Sequence, residues 1–334
     1  MRILYATIMR EEKIMTVKQS VLYLLLNANG EYISGEQIAA SLHVTRAAIW
    51  KSIKQLRAEG FSISAISNKG YAIIESGDIV TEAGIKQYLL NDSIFTFEIL
   101  DSASSTNSLM REKTTRNEGY TIVAKEQTQG VGRLNRSFFS PKNTGIYFSL
   151  LLKPDLEASE TINITTMAAV AVCKAIEETT DIKPQIKWVN DIYVDGKKIC
   201  GILTQGSFSM ENSKTEYIIL GIGINIYAPK DGFPKEITDT AGSLLSHQEA
   251  NMKNKLVARV LDHFWDMYRN MKQKEISELY KQYSFVVGKR VMIHGANGSV
   301  PAKVLDINEK CNLIVQFNNG NTDVLSSGEI TITV

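Results

Sequence analysis

Three short stretches of this sequence carry side chains whose types and spacing could do chemistry. Ser105-Thr106-Asn107 sets three short hydrogen-bonding side chains together, a group suited to reading an amide or a ureido ring. The run from Gly130 to Arg136 follows an apolar strand pattern over 121–126 and places Arg133 and Arg136 in a glycine-rich loop. Such a loop brings backbone N–H groups and guanidinium forks to an anion. Lys187-Trp188-Val189-Asn190-Asp191 puts a lysine in a strand beside an aromatic ring, where a buried ammonium needs an anionic partner. Each stretch alone also has a plainer reading: a surface loop with solvated arginines, or a lysine stem packed on a ring.

Two common nucleotide motifs are excluded. The loop begins like a dinucleotide fingerprint, but Asn135 stands where the third glycine belongs and no helix opens after it. No Gly-Lys-Ser/Thr occurs, so there is no P-loop.

The elements that must position these residues divide the chain into three segments. In the first, 16–76, Val17, Val21, Leu24 and Leu25 recur at helical spacing up to the Asn29-Gly30 pair. Ser34 with Gln37 starts a second helix as a capping box, and Thr45 caps a third carrying Ile49, Ile53 and Leu56 on one face. Two alternating runs joined by Ser67-Asn68-Lys69-Gly70 read as a hairpin. The segment is a winged helix–turn–helix, with Ala39 small at the helix crossing and Arg46, Lys51, Lys54 and Arg57 on or beside the third helix. That helix would enter a major groove, with Lys69 on a wing beside the phosphates. The plainer reading is a solvated helix face in a protein-binding module. His43 counts against the DNA reading, because such turns usually carry glycine to reach left-handed angles.

The second segment, 80–284, mixes helices and strands. An apolar helix is expected over 162–178, strands at 186–188, 192–194, 198–204 and 217–226, an Asp195-Gly196 hairpin turn, and one long amphipathic helix over 250–282. The third, 285–334, is all short strands and reads as a small barrel. The fold class is thus α+β and multidomain.

Thirty-seven basic against 36 acidic residues leave a net charge of +1, which excludes a chain coated in positive charge for wholesale nucleic-acid binding. No apolar stretch approaches the ~20 residues that span a bilayer, and the first 15 residues make a poor signal peptide and carry no functional weight. Cys173, Cys200 and Cys311 are single and widely spaced, as in a reducing cytoplasm, and suit neither a disulfide framework nor a zinc site.

Taken together, these residues resemble the bifunctional biotin–protein ligases that double as biotin operon repressors. The resemblance runs from about residue 16 through nearly the whole chain. The family's Gly-Arg-Gly-Arg-x-Gly-Arg-x-Trp loop is matched by Gly130 to Phe138, its Lys-Trp-Pro-Asn-Asp by Lys187 to Asp191, and its Ser-Thr-Asn by Ser105 to Asn107. Gln127 matches the glutamine that leads the loop, and Gly221 to Asn225 match Gly-x-Gly-x-Asn. The chain departs from the family at Val131 for arginine, Asn135 for glycine, Phe138 for tryptophan and Val189 for proline.

The resemblance implies a class II synthetase-like ligase domain, an SH3-like C-terminal barrel and a two-step reaction. Biotin's carboxylate attacks the α-phosphate of ATP, and a lysine of a biotin carboxyl carrier protein domain then takes biotin from the adenylate. It also implies that Lys187 and Arg133 are catalytic, and that Ser105, Thr106, Asn107, Gln127, Val131, Gly132, Arg133 and Lys187 hold biotin. Gly130, Arg136 and Asn225 would hold ATP, with Mg2+ on its phosphates, and Asp191 would contribute near the nucleotide. Operator DNA is the implied partner of a homodimer formed with the adenylate bound. Two alternatives stay open: a stand-alone ligase with a degenerate DNA-binding domain, and a ligase for another small acid such as lipoate.

Overall fold

The computed structural model describes residues 16–28, 30–75, 78–157, 161–209, 214–295, 298–326 and 328–332. Asn29, Ser76, the first 15 residues and the tip of the turn at 295–298 lie outside the described residues, as does the Asn135 side chain. The chain forms two units: residues up to Gln87 with Glu249–Asn254, and the remainder.

In the first unit, α1 (Val17–Asn27), α2 (Gly35–Leu42) and α3 (Arg46–Ala58) precede a hairpin of β1 (Ser62–Ile66) and β2 (Gly70–Glu75). Each helix opens on a hydroxyl cap, Thr16, Ser34 and Thr45, and the first two are complete capping boxes with Gln19 and Gln37. Val21, Leu25, Ile38, Ile49, Ile53 and Leu56 form one buried core. His43 takes the left-handed conformation, φ 51° and ψ 41°, so the turn between α2 and α3 keeps the geometry usually given to glycine. Gly70 has φ +106°, and a Cβ there would lie 2.1 Å from the Ile33 carbonyl oxygen. Paired backbone bonds between Ile33 and Tyr71, 2.8 and 2.9 Å, tie the wing to the segment before α2. The short helix α4 (Glu82–Tyr88) follows.

The second unit is built on a seven-stranded mixed sheet. Its strands are β3 (Thr96–Leu100), β4 (Tyr120–Ala124), β5 (Gly145–Leu152), β6 (Gln185–Lys187), β7 (Asp191–Val194), β8 (Lys197–Phe208) and β9 (Thr215–Asn225). Their spatial order is β3-β4-β5-β9-β8-β7-β6. Only β3 and β4 run parallel. β5 is buried along its whole length, so it reads as a continuous apolar run broken by one serine, Ser149. Asp195 and Gly196, with φ 49° and 73°, make the tight turn between β7 and β8 that their sequence predicts. The helix α5 (Thr106–Arg111) packs on β4, β5 and β9, and α6 (Thr161–Thr179) on β6, β7 and β8.

Two expectations are corrected. The single helix over 250–282 is two, α7 (Met252–Asn270) and α8 (Gln273–Tyr283). The break falls where Lys272 leaves helical angles and its backbone N–H donates to Glu275, 3.3 Å away, starting a new helix. The C-terminal strands β10 (Arg290–Gly295), β11 (Gly298–Ile307), β12 (Leu313–Phe317), β13 (Thr322–Leu325) and β14 (Glu329–Ile332) form an antiparallel sheet in the order β13-β12-β11-β10-β14. The edge strands β13 and β14 do not pair among the described residues, so the expected barrel is an open five-stranded sheet. No described helix is long and apolar enough to cross a membrane.

Candidate functional site

A cavity of about 360 Å³ opens in the second unit, and the chemically distinctive stretches of the sequence converge on it. One end is polar and uncharged. Ser105, Thr106 and Asn107 sit at the start of α5, all three buried. Ser105 is the N-cap but its hydroxyl makes no capping bond. The hydroxyl of Ser149, on β5, lies 2.6 Å from Asn107 Oδ1 and 2.8 Å from Thr106 Oγ1. Asn107 donates through Nδ2 to Gln205 Oε1 at 3.0 Å. Gly221 makes room for this network, since a Cβ there would lie 2.1 Å from Asn107 Oδ1. Gln127 closes the corner: its Oε1 accepts from the Thr106 N–H at 2.8 Å and its Nε2 donates to Ser140 Oγ at 3.0 Å.

The loop 127–140 is a narrow, laddered excursion. The Phe138 N–H donates to the Gly130 carbonyl at 2.8 Å, and the Gly132 N–H to the Arg136 carbonyl at 2.7 Å. At its tip Leu134 has φ 53°. Phe138 seats the loop on the sheet. A Cβ on Gly223 would stand 2.6 Å from its ring and one on Gly201 3.0 Å, so two facing glycines of β8 and β9 form its bed. Val131, Gly132, Arg133 and Arg136 line the cavity. Gly130 instead lies under the loop, where a Cβ would meet the Phe138 carbonyl oxygen at 2.3 Å.

The other end of the cavity is cationic. Arg133, Arg136, Lys187 and Lys198 face it, against the carboxylates of Asp191 and Glu329. Lys198 pairs with Asp191 at 2.7 Å. Arg133 donates to Asn190 Oδ1 and to the Gly328 carbonyl, both at 3.0 Å. Lys187 Nζ lies 5.7 Å over the Tyr193 ring. Burial pulls the Lys187 ammonium below the usual lysine range, and Asp191 offsets part of that. Asn225, at the end of β9, is buried at the same cavity and donates to the Gly242 carbonyl at 3.2 Å. The arrangement offers a hydrogen-bonding slot for a small polar ring next to fixed positive charge for a polyanion. No cysteine lines the cavity. Burial pushes the Cys311 thiol up to about 11 and raises Cys173 and Cys200 as well, so none is a ready nucleophile.

In the first unit Arg46, Lys51, Lys54 and the wing residue Lys69 are exposed. Arg57 is exposed as well, but it also makes a contact within the unit. Its Nε and Nη2 both donate to the Ile63 carbonyl, at 2.9 and 2.7 Å, which clamps α3 to β1.

Comparison with known proteins agrees with this layout. Residues 97–225 match the biotin/lipoate A/B protein ligase family, and residues 17–72 match a helix–turn–helix domain. The bifunctional ligase/repressor BirA of Bacillus subtilis is 32% identical over 93% of this chain and 98% of its own length. This chain belongs to the bifunctional ligase/repressor family. The Escherichia coli member is 29% identical over 61% of this chain and 62% of its own length. The biotin protein ligase of Aquifex aeolicus, solved with biotin and ATP, aligns with a TM-score of 0.58 at 26% identity, over 71% of this chain and 98% of that one.

Sequence reasoning passed over four residues that this member of the family brings to the site. Ser149 had a signal, being the lone polar residue in an apolar strand. Asn190 lay inside a motif already singled out. Lys198 follows from the Asp195-Gly196 turn, which folds it back toward Asp191. Glu329 had none, because it lies 193 residues from its partner Arg136.

Proposed function

We propose that this chain is an ATP-dependent biotin–protein ligase and a biotin-responsive repressor, working in the cytoplasm. The observation that carries the ligase reading is one cavity joining the Ser105, Thr106, Asn107 and Gln127 corner to the cations Arg133, Arg136, Lys187 and Lys198. Biotin's ureido ring takes the polar corner, which puts its carboxylate toward the cationic end. That carboxylate is already ionised near pH 7, so its attack on the α-phosphate of ATP needs no enzyme base. It needs positive charge fixed where the phosphorane-like transition state gathers negative charge, and Lys187 and Arg133 supply it. Arg133 is preorganised by Asn190 and Gly328, so no reorientation is needed when charge develops. Pyrophosphate leaves, and the neutral amine of a carrier-domain lysine attacks the mixed anhydride, releasing AMP.

Among the described residues no group of three His, Cys, Asp or Glu side chains converges to hold a metal. Both cavity carboxylates are ion-paired. Magnesium would arrive as part of the nucleotide substrate and neutralise phosphate charge there. In the wider architecture the ligase sheet is class II synthetase-like, and the open C-terminal sheet completes the nucleotide end of the site by bringing Glu329 to the cavity and the Gly328 carbonyl to Arg133.

The repressor half rests on the intact winged helix with Arg46, Lys51, Lys54 and Lys69 exposed, and on His43 reaching the left-handed turn. A homodimer formed with the adenylate bound would match a two-fold operator. Pyrophosphate exchange into ATP tests the ligase reading, with biotin and lipoate compared. Exchange with biotin is expected, and exchange with lipoate alone overturns it.

A further inference from the structure

The third helix of the first unit carries a residue that neither fold nor ligation accounts for. Trp50 is 59% exposed, whereas the chain's other two tryptophans are buried or half-buried. On α3, Ile49, Ser52, Ile53 and Leu56 face the core. Arg46, Ala47, Trp50, Lys51 and Lys54 are exposed. At 3.6 residues per turn, positions 46, 50 and 54 rise one above the next along a single stripe, roughly 6 Å apart. The indole therefore sits at the middle of the exposed face, between two cations. Lys54 Nζ lies 5.4 Å over its ring, which holds the indole against the helix by a cation–π contact.

An indole left in water contributes nothing to this unit's core, and it stands where a recognition helix presents side chains to base edges. In the major groove the apolar mark is the thymine 5-methyl group, and the indole N–H can add a bond to a base acceptor. The charge around it fits nucleic acid: Arg46, Lys51 and Lys54 flank the ring and no acidic side chain lies among the exposed residues from 46 to 58. We infer that Trp50 is the base-reading residue of α3 and that it selects thymine through its 5-methyl group, while Lys51 and Lys54 hold phosphates. This rests on the repressor reading and gives that reading its specificity determinant.

The test uses the full chain with biotin and ATP present. A pool of duplexes randomised over about 40 base pairs is selected by the wild type, and the enriched duplex is remade with deoxyuridine at each enriched thymine in turn. Losing one buried methyl should weaken wild-type binding about fourfold at the position Trp50 reads. Trp50→Ala should bind the selected duplex at least tenfold more weakly and show no thymine–uracil difference there. Its salt dependence should stay that of the wild type, because no phosphate contact is lost. Lys51→Gln should do the reverse, lowering the salt slope by about 0.9 while keeping the thymine–uracil difference. A thymine–uracil ratio in Trp50→Ala equal to wild type overturns the proposal alone. No enrichment by the wild type strikes the repressor reading itself, and the proposal with it. If Trp50→Ala keeps its base preference and loses self-association in sedimentation, the ring is a contact between copies and the proposal fails.

Discussion

Arg136 and Glu329 meet fork to fork, with Nη1 at 2.5 Å from Oε1 and Nη2 at 2.8 Å from Oε2. A loop of the ligase sheet is thereby fastened to the last strand of the C-terminal sheet, 193 residues away in sequence. The guanidinium is two-thirds exposed, so water screens the pair and it is worth about 1 kcal/mol, the upper end for a surface pair with bidentate geometry. Glu329→Gln removes the charge and keeps the shape. It should speed release of biotinyl-adenylate about fivefold, the factor that 1 kcal/mol represents. Stopped-flow dissociation is the measurement, and an unchanged rate would show that the fastening does not reach the ligand.

Lys187 makes a prediction about pH. In the proposed mechanism its ammonium is the active form, and burial holds its pKa below the ordinary lysine value. Adenylation should therefore be full on the acid side of that lowered pKa and fall as pH rises through it, earlier than an ordinary lysine would allow. Lys187→Ala should nearly abolish pyrophosphate exchange at every pH. Lys187→Arg should keep part of the rate and lose the alkaline fall, since a guanidinium stays charged. An alkaline limb that survives in the arginine variant would assign it to another group.

Ser149 holds two members of the polar corner without belonging to the motif that marks it. Its hydroxyl is buried between Asn107 and Thr106, so Ser149→Ala leaves Asn107 Oδ1 short of a donor. An unmade buried hydrogen bond costs about 1–3 kcal/mol. The KM for biotin should rise roughly tenfold with kcat and the KM for ATP little changed. A fall in kcat with biotin KM unmoved would place Ser149 in folding or closure instead.

What the sequence discloses here follows the range of the physics. Caps, turn residues and periodicity act over a few positions, so Thr16, Ser34, Thr45 and Asp195-Gly196 locate their elements directly. The motif residues are legible for the same reason, being clustered at Ser105–Asn107, 130–136 and 187–191. Spacing alone failed at Lys272, where helical periodicity runs on through Met271 but a local cap starts a new helix. Nor does spacing show that Arg57, an exposed cation, also donates to the Ile63 carbonyl and ties α3 to β1. The C-terminal contribution was legible only as strands. Glu329 reaches the cavity through the pairing of β14 with β10, and the Gly328 carbonyl meets Arg133, 195 residues away in sequence, which no local pattern records.

Val131 is the position where, by the resemblance, the loop has lost a cation, and the structure puts it at the cavity with 38% of its surface exposed. Its backbone pairs with Ser137 across the loop, so the side chain can change without disturbing the ladder. Valine there offers the adenylate only partial apolar contact. The bound adenylate carries a phosphate, and an arginine at 131 could reach it or the cavity carboxylates with a charge-assisted bond. Such a bond is worth about 1.5–3 kcal/mol when fully made, and exposure of the position reduces it to about 1 kcal/mol. Of the cations already facing the cavity, Arg136 is held by Glu329 and Lys198 by Asp191, which leaves Arg133 and Lys187 to meet the phosphate and room for a third. Val131→Arg should slow dissociation of biotinyl-adenylate about fivefold and lower stray labelling of bystander lysines in the same proportion. Stopped-flow release and labelling of an unrelated protein measure the two effects. An equal or faster release rate would show that valine, folded against the ligand, already holds it as well as the arginine does.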